Sequence, residues 1–122
     1  MPRFIDLPTH TTDAGNLSVF EKIFPNGIKR VFYIYGVKAG EERAKHGHKK
    51  TWNALMCVSG SCHILLVNSE GLEFHFELTN PAQCLIIEPG DWHIMDNFSA
   101  DAVLLVVSSE CYDKNDYFFE RP

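Results

Sequence analysis

The sequence carries no excess of positive charge. Its 122 residues include 16 aspartates and glutamates against 11 lysines and arginines, which gives a formal net charge of −5 at pH 7. Proteins that bind nucleic acid through its backbone usually show the opposite balance. The composition therefore argues against a nucleic-acid partner, although a local basic patch would still suit a small anionic molecule.

Long hydrophobic runs are also missing. The longest aliphatic run, AVLLVV, covers 102–107, whereas a membrane-spanning helix needs ~20 predominantly apolar residues. The opening stretch MPRFIDLPTHTTD lacks the charged and then apolar pattern of a secretory signal. We therefore expect a cytoplasmic protein with no membrane partner.

The four cysteines form no CxxC pair. Cys57, Cys62 and Cys84 lie in apolar, strand-like segments, where a free thiol behaves as a small hydrophobic side chain. There is no low-complexity tract, internal repeat or linker, and 122 residues is the size of one ordinary domain. We predict a single domain covering 1–122, with buried, unpaired thiols.

What the sequence does contain is an alternation of polar and apolar residues with a period of two. The segment LEFHFEL at 72–78 shows it most clearly and predicts a half-buried strand with His75 facing solvent. Further apolar or β-branched runs cover 28–37, 53–60, 62–68, 84–89 and 102–109, with turn residues between them. No helical stripe is present, so the pattern predicts an all-β fold, either an antiparallel barrel or a double-sheet jelly roll. The tail, CYDKNDYFFERP, has room for one helical turn.

Two histidines stand one residue apart in the basic segment RAKHGHKKTWN at 43–53. Residues i and i+2 of a strand point the same way, so His46 and His48 would share one pocket if that face is inward. Two imidazoles in a pocket suit either metal binding or proton transfer, since an ordinary pKa near 6.5 lies close to neutrality.

This segment resembles the first motif of the cupin proteins. That motif has a glycine, five residues, His-x-His, a carboxylate and a second glycine, and here Gly40, His46, His48 and Gly60 keep the spacing. Asn53 occupies the position of the carboxylate, and a neutral amide is a poor metal ligand. The second cupin motif is matched loosely by PGDWHIMDN at 89–97. The resemblance implies a cupin-type double-stranded β-helix, or jelly roll.

A metal-dependent cupin is therefore one reading of the sequence. His46, His48 and His93 would supply three imidazoles, which suit zinc, iron, nickel and copper alike. The alternative is a site without metal, in which two inward imidazoles move protons.

A more specific resemblance covers the chain from Asp13 to about Tyr117. The blocks IKRVFYIYGVKAGEERAKHGHKK, CVSGS, WHIMDNFSADAVLLVVSS and CYDKNDY occur in order and are similar to those of the nucleotide-sugar 3,4-ketoisomerases, small cupin enzymes that act on dTDP-4-keto-6-deoxy-glucose. The family pattern Arg-Gly-x-His-Ala-His-Lys corresponds to RAKHGHK at 43–49.

The resemblance implies an isomerase that needs no metal and no cofactor. A histidine removes the C3 proton of the 4-keto sugar to give an enediolate, and a proton returns at C4. His48 would be the base and His46 its partner. Tyr33 or Tyr35 would donate to the oxyanion, and Arg43 would hold the pyrophosphate or an enolate oxygen.

Four further residues complete the predicted substrate site. Trp92 would stack on a nucleobase or sugar, and His93 lies beside it. Asn53 stands where the family has glutamine, and Lys49 belongs to the basic patch. The resemblance also implies a homodimer that exchanges N-terminal strands, which the open edges of a small jelly roll make physically reasonable.

Three positions depart from the family pattern. Ala14 and Phe119 stand where arginines are expected, and Asn53 replaces the glutamine. None of them touches the histidine pair. The departures leave open a non-catalytic module that binds nucleotide sugars, and a 3,5-epimerase, which also uses a histidine base, is a nearer rival.

Overall fold

The computed structural model describes residues 2–122, and its secondary structure is almost entirely β-strand. The first sheet contains β1 (Arg3–Asp6), β4 (Arg30–Tyr35), β6 (Asn53–Ser59), β9 (Gln83–Ile87) and β11 (Val103–Ser108), in the order β1-β9-β6-β11-β4. The second contains β5 (Arg43–His48), β7 (Cys62–Val67), β8 (Glu73–Leu78), β10 (Trp92–Asp96) and β12 (Tyr117–Phe118), in the order β12-β5-β10-β7-β8. A separate hairpin joins β2 (Thr9–Thr12) to β3 (Gly15–Ser18). Neighbouring strands are antiparallel, and neither sheet closes on itself.

The predicted all-β fold is confirmed, and each predicted strand overlaps an observed one. In β8 the two glutamates and His75 are exposed, whereas Phe74 and Phe76 are half-buried and Leu78 is buried. Cys57, Cys62 and Cys84 are buried free thiols, as predicted. A 3-10 turn at Lys114–Asp116 occupies the tail where the sequence leaves room for one.

The core lies between the inward faces of the two sheets. Leu55 and Leu104 of the first sheet pack with Ile64 and Leu66 of the second, and all four are completely buried. Burying one such side chain contributes about 1.5–3 kcal/mol. The alternation of the strands therefore holds the two sheets face to face.

A second apolar cluster covers part of the outer face of the first sheet. Leu7 and Phe24, from the N-terminal quarter, pack there against Ala54, Met56 and Ile86. The β2–β3 hairpin has all eight of its residues exposed, so no apolar alternation marked it in the sequence. No helix among residues 2–122 has the length and apolar character needed to cross a membrane.

Candidate functional site

A cavity of about 220 Å³ lies between the two sheets. Its apolar wall continues the core and comes from both sheets: Phe32, Ile34, Ala44, Leu55, Met95 and Val106. Its polar side chains are Arg30, Arg43, His46, His48, Asn53, His93 and Tyr117. The cavity therefore gathers five of the predicted site residues and adds Arg30 and Tyr117.

A β-bulge in β5 brings Arg43 to the same side as the histidines. Arg43 and His46 are three residues apart, so a regular strand would point them to opposite faces. Pairing with β10 shifts register here: His93 is opposite His46 and Met95 is opposite Arg43, which leaves Lys45 as the extra residue. Lys45 has a positive φ of 58°, and the inserted residue restores Arg43 to the cavity side.

Three imidazole rings meet edge to face in the cavity. The ring centre of His46 is 5.2 Å from that of His48 and 5.2 Å from that of His93. The Tyr117 ring lies 4.8 Å from His46 and 4.5 Å from His48. The strand spacing predicted that His46 and His48 would face the same pocket, and the fold places them there.

His48 differs from the other two histidines because it contacts a buried carboxylate. Its Nδ1 lies 2.8 Å from Oδ2 of Asp116, a residue that is 4% exposed. The Thr51 hydroxyl and the Lys50 backbone N–H also donate to this carboxylate. An ionised carboxylate only accepts hydrogen bonds, so the Nδ1 of His48 carries the proton and the Nε2 of the neutral ring keeps its lone pair.

The pKa of Asp116 is lowered from its usual value. Burial alone would raise it, but the hydrogen bonds from Thr51, His48 and the Lys50 backbone outweigh that effect. Asp116 is therefore a stable anion beside His48. Asp116 was not among the predicted site residues, because nothing in CYDKNDY indicates that the 3-10 turn carries it back to β5.

The other two histidines are held neutral. Burial, and then the neighbouring His48, lower the pKa of His46 to about 4. Burial, followed by the charges of His46 and His48, lowers the pKa of His93 to about 3. The Nδ1 of His93 is buried without a hydrogen-bond partner, which costs about 1–3 kcal/mol.

The remaining polar groups of the cavity supply positive charge and hydrogen-bond donors. Arg30 lies over the Phe32 ring at 4.4 Å, and Arg43 is exposed at the cavity mouth. The amide oxygen of Asn53 accepts a hydrogen bond from the Ser108 hydroxyl. Arg30 was not predicted from the sequence because it begins an apolar strand and nothing marks it as a ligand contact.

Four predicted site residues do not line the cavity. Tyr33 and Tyr35 are 62% and 68% exposed on the outer face of β4, because alternation points Phe32 and Ile34 inward. Their expected role as oxyanion donors inside this barrel is therefore corrected.

Trp92 and Lys49 need the same correction. Trp92 lies on the opposite face of β10 from His93, and its indole N–H donates to the Phe119 carbonyl at 3.1 Å. Lys49 follows β5, and its side chain is exposed outside the cavity lining. Neither is placed to contact a ligand in the cavity.

Known proteins are similar to this chain over most of its length. The family described as FdtA (WxcM-like, C-terminal) matches residues 1–121. The TDP-4-oxo-6-deoxy-alpha-D-glucose-3,4-oxoisomerase of Aneurinibacillus thermoaerophilus is 40% identical over 105 residues, which are 84% of this chain and 75% of that protein.

Solved structures agree with this match. A sugar 3,4-ketoisomerase from Thermoanaerobacterium thermosaccharolyticum in complex with TDP is 37% identical, with a TM-score of 0.91 over 98% of this chain and 88% of that one. A 3,4-ketoisomerase from Helicobacter canadensis is 33% identical, with a TM-score of 0.90 over 98% and 90%. The chain therefore belongs to the FdtA family, whose description is WxcM-like, C-terminal.

Proposed function

We propose that this protein is a 3,4-ketoisomerase that converts dTDP-4-keto-6-deoxy-D-glucose to a dTDP-3-keto-6-deoxy-hexose. The names of its relatives support the reaction, and a histidine-to-asparagine mutant of the T. thermosaccharolyticum enzyme has also been solved with TDP-4-keto-6-deoxyglucose. The observation that carries the proposal in this chain is the buried contact between His48 and Asp116. It gives one histidine the surroundings of a general base.

The first step removes the proton from C3. The C4 carbonyl acidifies this proton, and Nε2 of His48 accepts it while the electron pair of the C3–H bond moves toward O4. The product is an enediolate paired with an imidazolium, and Asp116 at 2.8 Å stabilises that cation. The low pKa values of His46 and His93 keep these rings neutral, so the positive charge stays on His48.

The second step returns a proton to C4 and leaves the carbonyl at C3. For atoms to balance, the hydroxyl proton of O3 must leave and O4 must gain one. His46 and Tyr117 lie directly beside His48, and both are able to donate and accept protons. We assign them to this exchange, with Tyr117 taking the oxyanion-donor role that Tyr33 or Tyr35 was expected to fill.

The cavity takes the sugar and leaves the nucleotide outside. Pockets for drug-sized ligands measure ~300–1,000 Å³, whereas this cavity measures about 220 Å³. A groove of about 180 Å³ adjoins it and is lined by His46, Tyr112, Lys114, Tyr117 and Phe119. Its aromatic rings would stack on thymine, while Arg43 and Arg30 would face the diphosphate.

The strand order supports a jelly roll of the cupin type. Four strands of the first sheet run β4-β11-β6-β9, and four of the second run β5-β10-β7-β8. Successive strands thus alternate between the sheets except at the β7–β8 hairpin, as expected of two interlocked Greek keys.

We also propose that two copies associate through the outer face of the first sheet, with the N-terminal hairpins exchanged. Val31, Tyr33 and Tyr35 form an exposed apolar row on the edge strand β4, and Val58 is exposed on β6 of the same sheet. The β2–β3 hairpin pairs with no other strand of residues 2–122, and an isolated hairpin is marginally stable in water. A second copy would cover both features.

The direct test is proton NMR of the nucleotide sugar in D₂O with chelator-treated protein. We expect loss of the C3 proton signal and a new 3-keto species, and neither with His48→Asn. Exchange at C5 would instead identify an epimerase. Activity that returns only with added metal would point to the three-histidine reading, and binding without any exchange would point to a non-catalytic module.

A further inference from the structure

A second pair of histidines lies on the outer face of the second sheet, away from the cavity. Cys62, Ile64 and Leu66 of β7 point into the core, so His63 on the same strand points outward. His75 is on the neighbouring strand β8 and is exposed. Nε2 of His63 and Nδ1 of His75 are 2.9 Å apart.

Each imidazole of this pair has a carboxylate at its far nitrogen. Nδ1 of His63 lies 2.6 Å from Oδ1 of Asp96, and Nε2 of His75 lies 3.8 Å from Oε2 of Glu73. Asp96 favours a proton on Nδ1 of His63, so Nε2 of a neutral His63 carries the lone pair and accepts the Nδ1–H of His75. A metal ion bound to both of these nitrogens would displace that shared proton.

Ligating histidines commonly donate their other N–H to a carboxylate, and Asp96 accepts such a bond from His63. Glu73 lies 3.8 Å from Nε2 of His75, which is too far for a hydrogen bond, but it adds negative charge beside that ring. With metal–nitrogen bonds of about 2.0–2.1 Å, two nitrogens 2.9 Å apart subtend roughly 90° at the metal. That angle fits neighbouring ligands of a square-planar or octahedral ion, whereas tetrahedral zinc would need roughly 3.3 Å.

Negative charge around the pair favours a cation. Glu41, Glu42, Glu77 and Asp96 line a groove together with His63. Glu73 stands on the other side of His75, and Arg121 contacts it. No group of three or more His, Cys, Asp or Glu side chains in residues 2–122 is arranged to hold a metal, so water would complete the coordination of any ion bound here.

We propose that His63 and His75 form a surface site for a divalent transition metal, which Cu²⁺ occupies more tightly than Ni²⁺ and Ni²⁺ more tightly than Zn²⁺. The order follows the general affinities of nitrogen ligands and the 90° geometry. The site is independent of the isomerase reaction, because it lies on the face of β7 opposite the core. Protons compete for the same nitrogens, so the affinity falls as the pH is lowered.

The test is calorimetric titration of Cu²⁺, Ni²⁺ and Zn²⁺ into the chelator-treated protein in a weakly coordinating buffer. We expect one tight equivalent of Cu²⁺, weakened at least tenfold by His75→Gln and by His63→Gln. His10→Gln, which removes an exposed histidine from the β2–β3 hairpin, should leave that equivalent in place. His46→Asn should also leave it, because the cavity histidines are not its ligands.

Two results would overturn the proposal. One is an unchanged Cu²⁺ isotherm in both His63→Gln and His75→Gln, with circular dichroism showing that the variants are folded. The other is loss of the tight equivalent in His46→Asn, which would place the metal in the cavity.

Discussion

Three histidines surround the cavity, and their neighbours give them different surroundings. His48 contacts Asp116, whereas burial keeps His46 and His93 neutral. The i, i+2 spacing of His46 and His48 was sufficient to predict that they share a pocket. Asp116 was not predictable as their neighbour, because it is 68 residues further along the chain from His48.

Asp116→Asn should lower kcat by about 10²- to 10⁴-fold with little change in KM. The amide nitrogen would donate to Nδ1 of His48 and force the ring proton onto Nε2, where the lone pair is needed. Steady-state kinetics together with titration of TDP measure the two effects. Asp113→Asn is the matched control, because asparagine caps the 3-10 turn as well as aspartate does. Equal losses in the two variants would contradict the assignment.

The neutral histidines predict that the protein loses stability as the pH falls. Their folded pKa values, about 4 and about 3, lie below the ordinary value of 6.5, so the unfolded chain binds more protons from about pH 6.5 downward. Each group contributes a slope of up to about 1.4 kcal/mol per pH unit. Urea unfolding between neutral pH and pH 4 should show a shallower slope for His93→Gln than for the wild type. Equal pH dependence of the unfolding free energy in the two proteins would contradict this prediction.

At the scale of strands, the sequence predicted the elements better than the face that each presents. Alternation located β8, and apolar runs located β4 and β6, yet these patterns did not tell which side of β4 is inward. Tyr33 and Tyr35 were therefore expected in the site, whereas they lie on the outer face. The bulge at Lys45 was also not predictable from the sequence, because it arises from the way β5 pairs with β10.

The bulge makes a prediction about Arg43. Because the bulge holds Arg43 on the cavity side, Arg43→Gln should weaken TDP binding by about tenfold or more, as loss of a charge-assisted contact would. Lys45→Gly keeps the extra residue and suits the positive φ, so it should bind TDP like the wild type. Calorimetry on both variants measures this. Similar affinities in the two variants would contradict a role for Arg43 in binding the diphosphate.

Gly47 allows β5 to pack closely against the Phe118 ring and the backbone of Asp91. A Cβ at this position would meet the ring of Phe118 and would lie 2.7 Å from the backbone oxygen of Asp91. Gly47→Ala should therefore destabilise the protein by about 1–3 kcal/mol, measured by chemical denaturation. Adding Phe118→Leu should recover part of the loss, because only the side-chain clash is relieved. No recovery at all would show that the backbone contact dominates.

At the scale of the whole molecule, the alternation of hydrophobic residues was enough to predict an all-β fold, because two sheets need only apolar inner faces. The exposed hairpin carries no such signal, and neither does the C-terminal segment that places Asp116 and Tyr117 in the site.

The exposed row on β4 predicts the oligomeric state. Sedimentation should find a dimer, and Tyr33→Lys should shift it toward monomer by placing a charge in a desolvated contact. Leu72→Lys is the matched control, since Leu72 is 53% exposed beside β8 on the other sheet. A monomeric wild type, or dimers in both variants, would contradict the proposed interface.

The hydrogen bond between His48 and Asp116 also bears on how the protein folds. It closes a loop of 68 residues, and contacts of such long range form late because the chain must first be ordered. The core side chains belong to other strands, and local pairs such as β7–β8 can form without this contact. During refolding, burial of the core should therefore precede the return of activity, and the interval between them measures the time that the C-terminal segment takes to dock.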